Sequence, residues 1–166
     1  MNNSVCFTGH RKITEDREKL SERLYVLLER LVTEHRITDF YTGGAVGFDT
    51  LAALTVLKLR ETYPHIKLHL VLPCPFEEQS AGWTETQKDE YRYIASLADT
   101  KEFISEHYNN DAMKLRNTRL VELADEYCIC YWNVHNFRSG TGQTVRMAER
   151  KGIKILNLYE NLSDTE

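Results

Sequence analysis

The chain has no apolar run approaching the roughly 18–20 residues that a membrane helix needs. Its first residues, Met1 to Thr8, lack a basic region followed by a long apolar core, so they do not read as a secretory signal. Positive charge is not in surplus. The formal net charge is −4, which argues against a general nucleic-acid binder and leaves room only for a local basic patch. Cysteine is sparse and scattered. Cys6, Cys74, Cys128 and Cys130 lie in or just past predicted strands and read as reduced, buried thiols of a cytoplasmic protein. Cys128-x-Cys130 fits strand alternation as well as a metal pair. No second Cys/His pair stands at zinc spacing, so no metal site is expected. Repeats, low-complexity stretches and linkers are also missing. The 166 residues therefore suit a single domain over 1–160, followed by a polar tail, 161–166.

What is present is an alternation of short apolar runs with amphipathic segments. Strands are expected at Ser4–Thr8, Thr38–Thr42, Ile66–Pro73, Lys101–Ser105, Tyr127–Trp132 and Ile153–Leu158. Helices are expected at Thr14–Arg36, Asp49–Thr62, from Thr84 to about Ala98, at Ala112–Glu126 capped by Asp111, and at Thr144–Lys151 ended by Gly152. Thr84 and Gln87 form a capping-box signature. A loop, Cys74–Trp83, precedes it. The order βαβαβαβαβαβ predicts an α/β, Rossmann-like open and mostly parallel sheet with helices on both faces. Such sheets bind ligands beyond the carboxyl ends of their strands.

Three stretches fall at that edge. Thr8-Gly9-His10-Arg11 follows the first strand: the glycine permits a sharp turn and close approach, and Arg11 can pair with a phosphate. An ordinary turn with solvated charges is the plain alternative. Thr42-Gly43-Gly44-Ala45-Val46-Gly47-Phe48-Asp49 follows the second strand. Gly43, Gly44 and Gly47 before a helix can expose N–H groups to an anion. The stretch is neither G-x-G-x-x-G nor a P-loop, so neither dinucleotide binding nor ATP hydrolysis follows. Asp49 is either a helix cap or an acceptor for a ribose hydroxyl. Ser139-Gly140-Thr141-Gly142-Gln143-Thr144 follows the fifth strand and suits phosphate in the same way, beside Arg138; its alternative is a flexible loop with a threonine cap.

Arg116 and Asn117, one turn into the fourth helix, are expected near the ligand edge, with Arg119 on neighbouring surface; either arginine could instead be solvated. His10 is the best-placed histidine. His107 and His135 sit in nearby loops. Trp83 and Tyr91 can stack on a base or serve packing.

Phe7-Thr8-Gly9-His10-Arg11, Gly43-Gly44-Ala45-Val46-Gly47-Phe48-Asp49, Leu72-Pro73-Cys74, Met113-x-x-Arg116-Asn117 and Ser139-Gly140-Thr141 occur in one order. In this the chain resembles, over nearly its whole length, the YpsA-like branch of the SLOG superfamily, which also includes DprA and the LOG phosphoribohydrolases. The resemblance implies a Rossmann-like domain that binds nucleotides or derivatives such as ADP-ribose and self-associates into homo-oligomers. It also implies a sensing or regulatory role, sometimes connected with bacterial cell division or defence. LOG enzymes carry Pro-Gly-Gly-x-Gly-Thr followed by a Glu, and Met-x-x-Arg-Lys. Here Asn117 replaces the lysine and the acid is missing, Glu149 coming about a turn later. N-glycosidic hydrolysis needs a carboxylate to activate water or stabilise the oxocarbenium-like state.

The leading expectation is thus a nucleotide-binding sensor requiring no cofactor beyond its ligand. Gly140, Thr141, Gly142 and Thr144 would bind phosphate, with Arg11 and Arg116 as counter-charges and Asp49 or Asn117 at the ribose. The second is a nucleotide hydrolase using Asp49, Glu77 or Glu78. The third is a DNA-handling module similar to DprA, against which the acidic charge weighs.

Overall fold

A computed structural model describes residues 3–160; the tail at 161–166 lies outside them. Six strands form one sheet: β1 (Ser4–Gly9), β2 (Asp39–Thr42), β3 (Lys67–Leu72), β4 (Thr100–Phe103), β5 (Tyr127–Tyr131) and β6 (Lys154–Asn157). The helices are α1 (Arg17–Glu34), α2 (Phe48–Thr62), a single turn α3 (Phe76–Gln79), α4 (Glu85–Leu97), α5 (Asn110–Leu123) and α6 (Gly140–Lys151). The strand order is β4-β3-β2-β1-β5-β6, and every pairing is parallel. The fold is Rossmann-like α/β, as the sequence predicts.

Chain direction decides the layers. From β1 the chain steps outward through β2, β3 and β4, then returns through α5 to the other side of β1 and adds β5 and β6. Right-handed crossovers put helices made on opposite steps on opposite faces. Accordingly α1, α2 and α4 pack on one face, where Leu20, Leu24, Leu28, Phe48, Val56, Leu59 and Ile94 meet Val5, Phe7, Phe40, Leu68 and Leu70. On the other face Leu120, Val121, Val145 and Ala148 of α5 and α6 meet Cys6, Cys128 and Cys130. Each fully buried Leu or Ile contributes about 1.5–3 kcal/mol, so the leucine stripe of α1 is sufficient reason for its docking. Period-2 alternation sends Cys128 and Cys130 to the same face; both are free, and burial holds the Cys130 thiol well above its ordinary pKa.

Helix starts differ from expectation where side-chain caps decide them. α1 begins at Arg17, because Asp16 itself is the cap, accepting from Glu18 N and Lys19 N at 2.9 and 3.1 Å. Asn109, not Asp111, caps α5, accepting from Ala112 N at 2.7 Å. α6 opens at Gly140, four residues before the expected Thr144, because Ser139 Oγ accepts from Gly142 N at 3.0 Å. Asp49 is not a cap: Gly47 holds that position, and Asp49 sits in the first turn of α2. The expected loop Cys74–Trp83 contains α3. The Thr84–Gln87 capping box forms, and Gly152 ends α6 in the left-handed conformation.

Candidate functional site

In a parallel sheet of this order the loops after β1 and β5 leave in opposite directions, and a crevice opens between them at the carboxyl edge. Thr8 pairs with Cys130 and Gly9 with Tyr131, so the two strands end level. A cleft of about 260 Å³ lies there. Of the residues expected at a ligand site, Thr8, Gly9, His10, Arg11, Asp49, Arg116, Asn117, Ser139, Gly140 and Thr141 line it. Four separate segments of sequence therefore meet in one place.

Arg116 dominates the charge. It is 4% exposed. Its Nη1 donates to Gly43 O at 2.5 Å and its Nε to Asn117 Oδ1 at 2.8 Å, while Nη2 has only Met113 Sδ at 3.9 Å. No carboxylate comes within 4.0 Å of it among the described residues. Burial pulls its pKa down from the ordinary value; a guanidinium nevertheless stays protonated. A buried charge with unused donors is costly unless something pairs with it.

Asp49 is the second buried charge, 6% exposed. One oxygen accepts from Ala45 N at 3.2 Å, and the other, Oδ1, has no partner. Burial pushes the carboxyl up to about 6, against the pull of Arg116, the Ala45 N–H and Arg11. His10 Nε2 accepts from Asn133 N at 2.9 Å, and burial lowers its pKa. The ring is therefore held neutral, with Nδ1–H as its donor. At the start of α6 the N–H groups of Gly140 and Thr141 take no part in the hydrogen bonds of the described residues. Together with the helix dipole they form an anion-attracting end.

The glycines after β2 have a different role from the one expected. Gly43, Gly44 and Gly47 do not line the cleft. A Cβ on Gly43 would lie 2.4 Å from Arg116 Nη1, and one on Gly47 would lie 2.2 Å from the Arg11 carbonyl oxygen. Gly47 also has φ +82°. These residues seat the loops against one another behind the cleft wall. Gly142 is similar, its Cβ position being 2.5 Å from Phe137 O. Thr144 is fully buried and donates to Gly140 O at 2.8 Å. Gly9 lines the cleft, but Phe48 packs where its Cβ would be.

Glu77 lines none of the cavities described, and Glu78 is absent from the cleft but lines the neighbouring cavity. Glu78 accepts from His107 Nδ1 at 2.8 Å and from Tyr108 N at 2.5 Å, and these bonds hold it below the usual carboxylate range. It is a tie between loops. Arg119 is a surface ion-pair residue, joined to Glu102 and Glu122. Sequence reasoning passed over a second lobe of about 390 Å³, which shares Arg11, Ala45 and Met113 with the first and is walled by Gln79, Trp83 and Tyr108. The Gln79 amide donates to Gly44 O at 3.1 Å and its buried Oε1 is unpartnered. The one sequence signal for it is Trp83.

A family model, YpsA, described as the YspA SLOG family, matches residues 6–159. The chain belongs to this family. Members of UPF0398 are similar to it. One, UPF0398 protein BH1768 of Halalkalibacterium halodurans, is 32% identical over 125 residues, which are 74% of this chain and 62% of that protein. The SPbeta prophage-derived protein YoqJ of Bacillus subtilis is 37% identical over 81 residues, 49% of this chain and 46% of that one. The chain thus spans about half to three-fifths of the length of these relatives. DNA processing protein A (DprA) from Streptococcus pneumoniae has a similar fold: TM-score 0.66 at 18% identity, over 97% of this chain and 52% of that one. For this SLOG domain that likeness concerns the fold alone. No described helix is long and apolar enough to cross a membrane.

Proposed function

We propose that this SLOG domain binds a nucleotide or nucleotide derivative in the crevice between β1 and β5, and that its role is sensing or regulation. The observation that carries the proposal is Arg116, a buried guanidinium with unused donors and no carboxylate, facing the same cleft as the open start of α6. A phosphate between them would receive the Gly140 and Thr141 N–H groups and one or both of Arg116 and Arg11. Asp49 and Asn117 are then within the same cleft to meet sugar hydroxyls. The lobe walled by Trp83 and Tyr108 gives an aromatic surface for a base. The two neighbouring lobes, about 260 and 390 Å³, together offer a volume within the range of roughly 300–1,000 Å³ usual for small-molecule sites.

A second reading, hydrolysis of an N-glycosidic bond, has one observation in its favour. Asp49, with a pKa near 6 and a buried oxygen that no protein group satisfies, has the proton affinity of a general base near neutral pH. A thermal-shift screen against nucleotides and ADP-ribose derivatives, with chromatography of the recovered ligand, separates the two. Stabilisation with intact ligand, lost in Arg116→Met, supports binding. Conversion that stops in Asp49→Asn makes the protein an enzyme. No shift with any nucleotide overturns both.

A further inference from the structure

The groove between α5 and α6 holds an unclaimed charge. Helical periodicity aligns Gln143, Arg146, Met147 and Arg150 along α6, and Lys114, Asn117 and Thr118 along α5. The two stripes face each other across a cavity of about 280 Å³. Lys114, Arg146 and Arg150 line it, and none has a carboxylate within 4.0 Å among the described residues. Most other arginines are paired: Arg17, Arg23, Arg30, Arg60, Arg92 and Arg119 each meet a carboxylate. Those left without one, apart from Arg36, are Arg11 and Arg116 in the crevice, Arg146 and Arg150 in the groove, and Arg138 immediately before the α6 cap. Among the described residues the arginines without a carboxylate are thus concentrated at the crevice and the groove, while lysines without one, such as Lys12, Lys58 and Lys67, are spread over other parts of the surface.

The helix dipole accounts for basic residues in the last turn of α6, Arg150 and Lys151. It does not account for Arg146 in mid-helix or for Lys114 opposite. Arg146 is also held in position: its guanidinium lies 3.9 Å over the Phe137 ring and donates to Phe137 O. The groove adjoins the crevice, with Asn117 lining both. With its Oδ1 taken by Arg116, Asn117 keeps its amide donors for whatever passes between them.

We infer that the α5–α6 groove is a second phosphate subsite, and that the ligand of the crevice is a nucleoside diphosphate or longer rather than a monophosphate. This rests on the crevice being a nucleotide site. The first phosphate lies at the start of α6. The next passes Asn117 and is neutralised by Lys114, Arg146 and Arg150.

The test is a titration of the full chain with nucleoside mono-, di- and triphosphates of one base, for adenine and for guanine, without divalent metal and at fixed ionic strength. Affinity is expected to rise at least about tenfold from mono- to diphosphate. In the triple variant Lys114→Gln, Arg146→Gln, Arg150→Gln the rise should vanish while monophosphate affinity stays within about twofold. Lys114→Gln with Arg150→Gln, which leaves the Phe137 stack intact, should give an intermediate rise. Monophosphate binding with no rise for the diphosphate overturns the subsite and leaves the crevice reading standing. No binding of any nucleotide overturns both. A flat nucleotide series together with tight binding of a single-stranded oligonucleotide that the triple variant loses also overturns it, since the groove would then serve a nucleic-acid backbone.

Discussion

Gly47 and Gly140 both belong to glycine-rich stretches after strands, yet alanine should affect them in opposite ways. At Gly47 the backbone has φ 82° and ψ −122°, a region nearly closed to residues with a side chain; occupying it costs about 1–3 kcal/mol. The added Cβ would also lie 2.2 Å from the Arg11 carbonyl oxygen. That neighbour is backbone and cannot rotate away, so the loop after β1 must shift as well, at a further cost of about 1–3 kcal/mol. Gly47→Ala should therefore lose about 2–6 kcal/mol. For a domain of this size about 1 kcal/mol moves Tm by roughly 2–4 °C, so the fall should be at least about 4 °C. At Gly140 a Cβ meets nothing within 4 Å, and φ is ordinary. Gly140→Ala should leave stability unchanged or raise it by up to about 1 kcal/mol. Urea denaturation of both variants, followed by circular dichroism, measures the difference. A loss below about 1 kcal/mol for Gly47→Ala, or a loss for Gly140→Ala matching it, would refute the division between a glycine that seats the loops and Gly140, which borders the cleft with open space around it.

Asp49 should make stability depend on pH. Burial pushes its carboxyl up to about 6 in the folded protein, above the ordinary carboxylate value that it has in the unfolded chain, so the native state holds the proton more tightly. Stability is then greatest below about pH 4 and falls as pH rises to about 6; the full effect, at most about 3 kcal/mol, is present at pH 7. Asp49→Asn should remove it, gaining up to that amount at pH 7 and almost nothing at pH 4, as read from paired melting curves. Equal gains at both pH values would show that the carboxylate is not the source. Asn109→Ala should cost about 1 kcal/mol of stability through the lost α5 cap, whereas Asp111→Ala should cost much less; the reverse order in urea titrations would restore Asp111 as the cap. Ser139→Ala should cost a similar ~1 kcal/mol and fray the first turn of α6, seen as faster amide exchange at Gly142 and Gln143; unchanged exchange would contradict it.

The fold was legible because its signals are local. Apolar runs, helical leucine spacing and the order of elements needed no distant information. The convergence at the sheet edge was legible too, since topology alone carries Arg11, Asp49, Arg116 and Gly140 to one side. What could not be read was the division of labour among the glycines. Gly43 must be small because of Arg116, 73 residues away, and no local pattern reports a partner at that distance. The helix starts were missed for a related reason: Asp16, Asn109 and Ser139 compete with neighbours such as Asp111 and Thr144 that are chemically just as able to cap. Gln79, Trp83 and Tyr108 come together only after α3 has turned the chain, so the second lobe had no sequence signature beyond a stray tryptophan.

The fit of Arg116 against Gly43 also constrains how this sequence can drift. The guanidinium fills the place where any side chain at position 43 would begin, so position 43 cannot grow while the arginine keeps its place. A relative with alanine or serine at position 43 must carry something shorter than arginine at 116, and must find its buried positive charge elsewhere or do without it. The two positions should thus change as a pair across the family. Wherever they do, the cleft will have exchanged its charge, and with it the kind of molecule it receives.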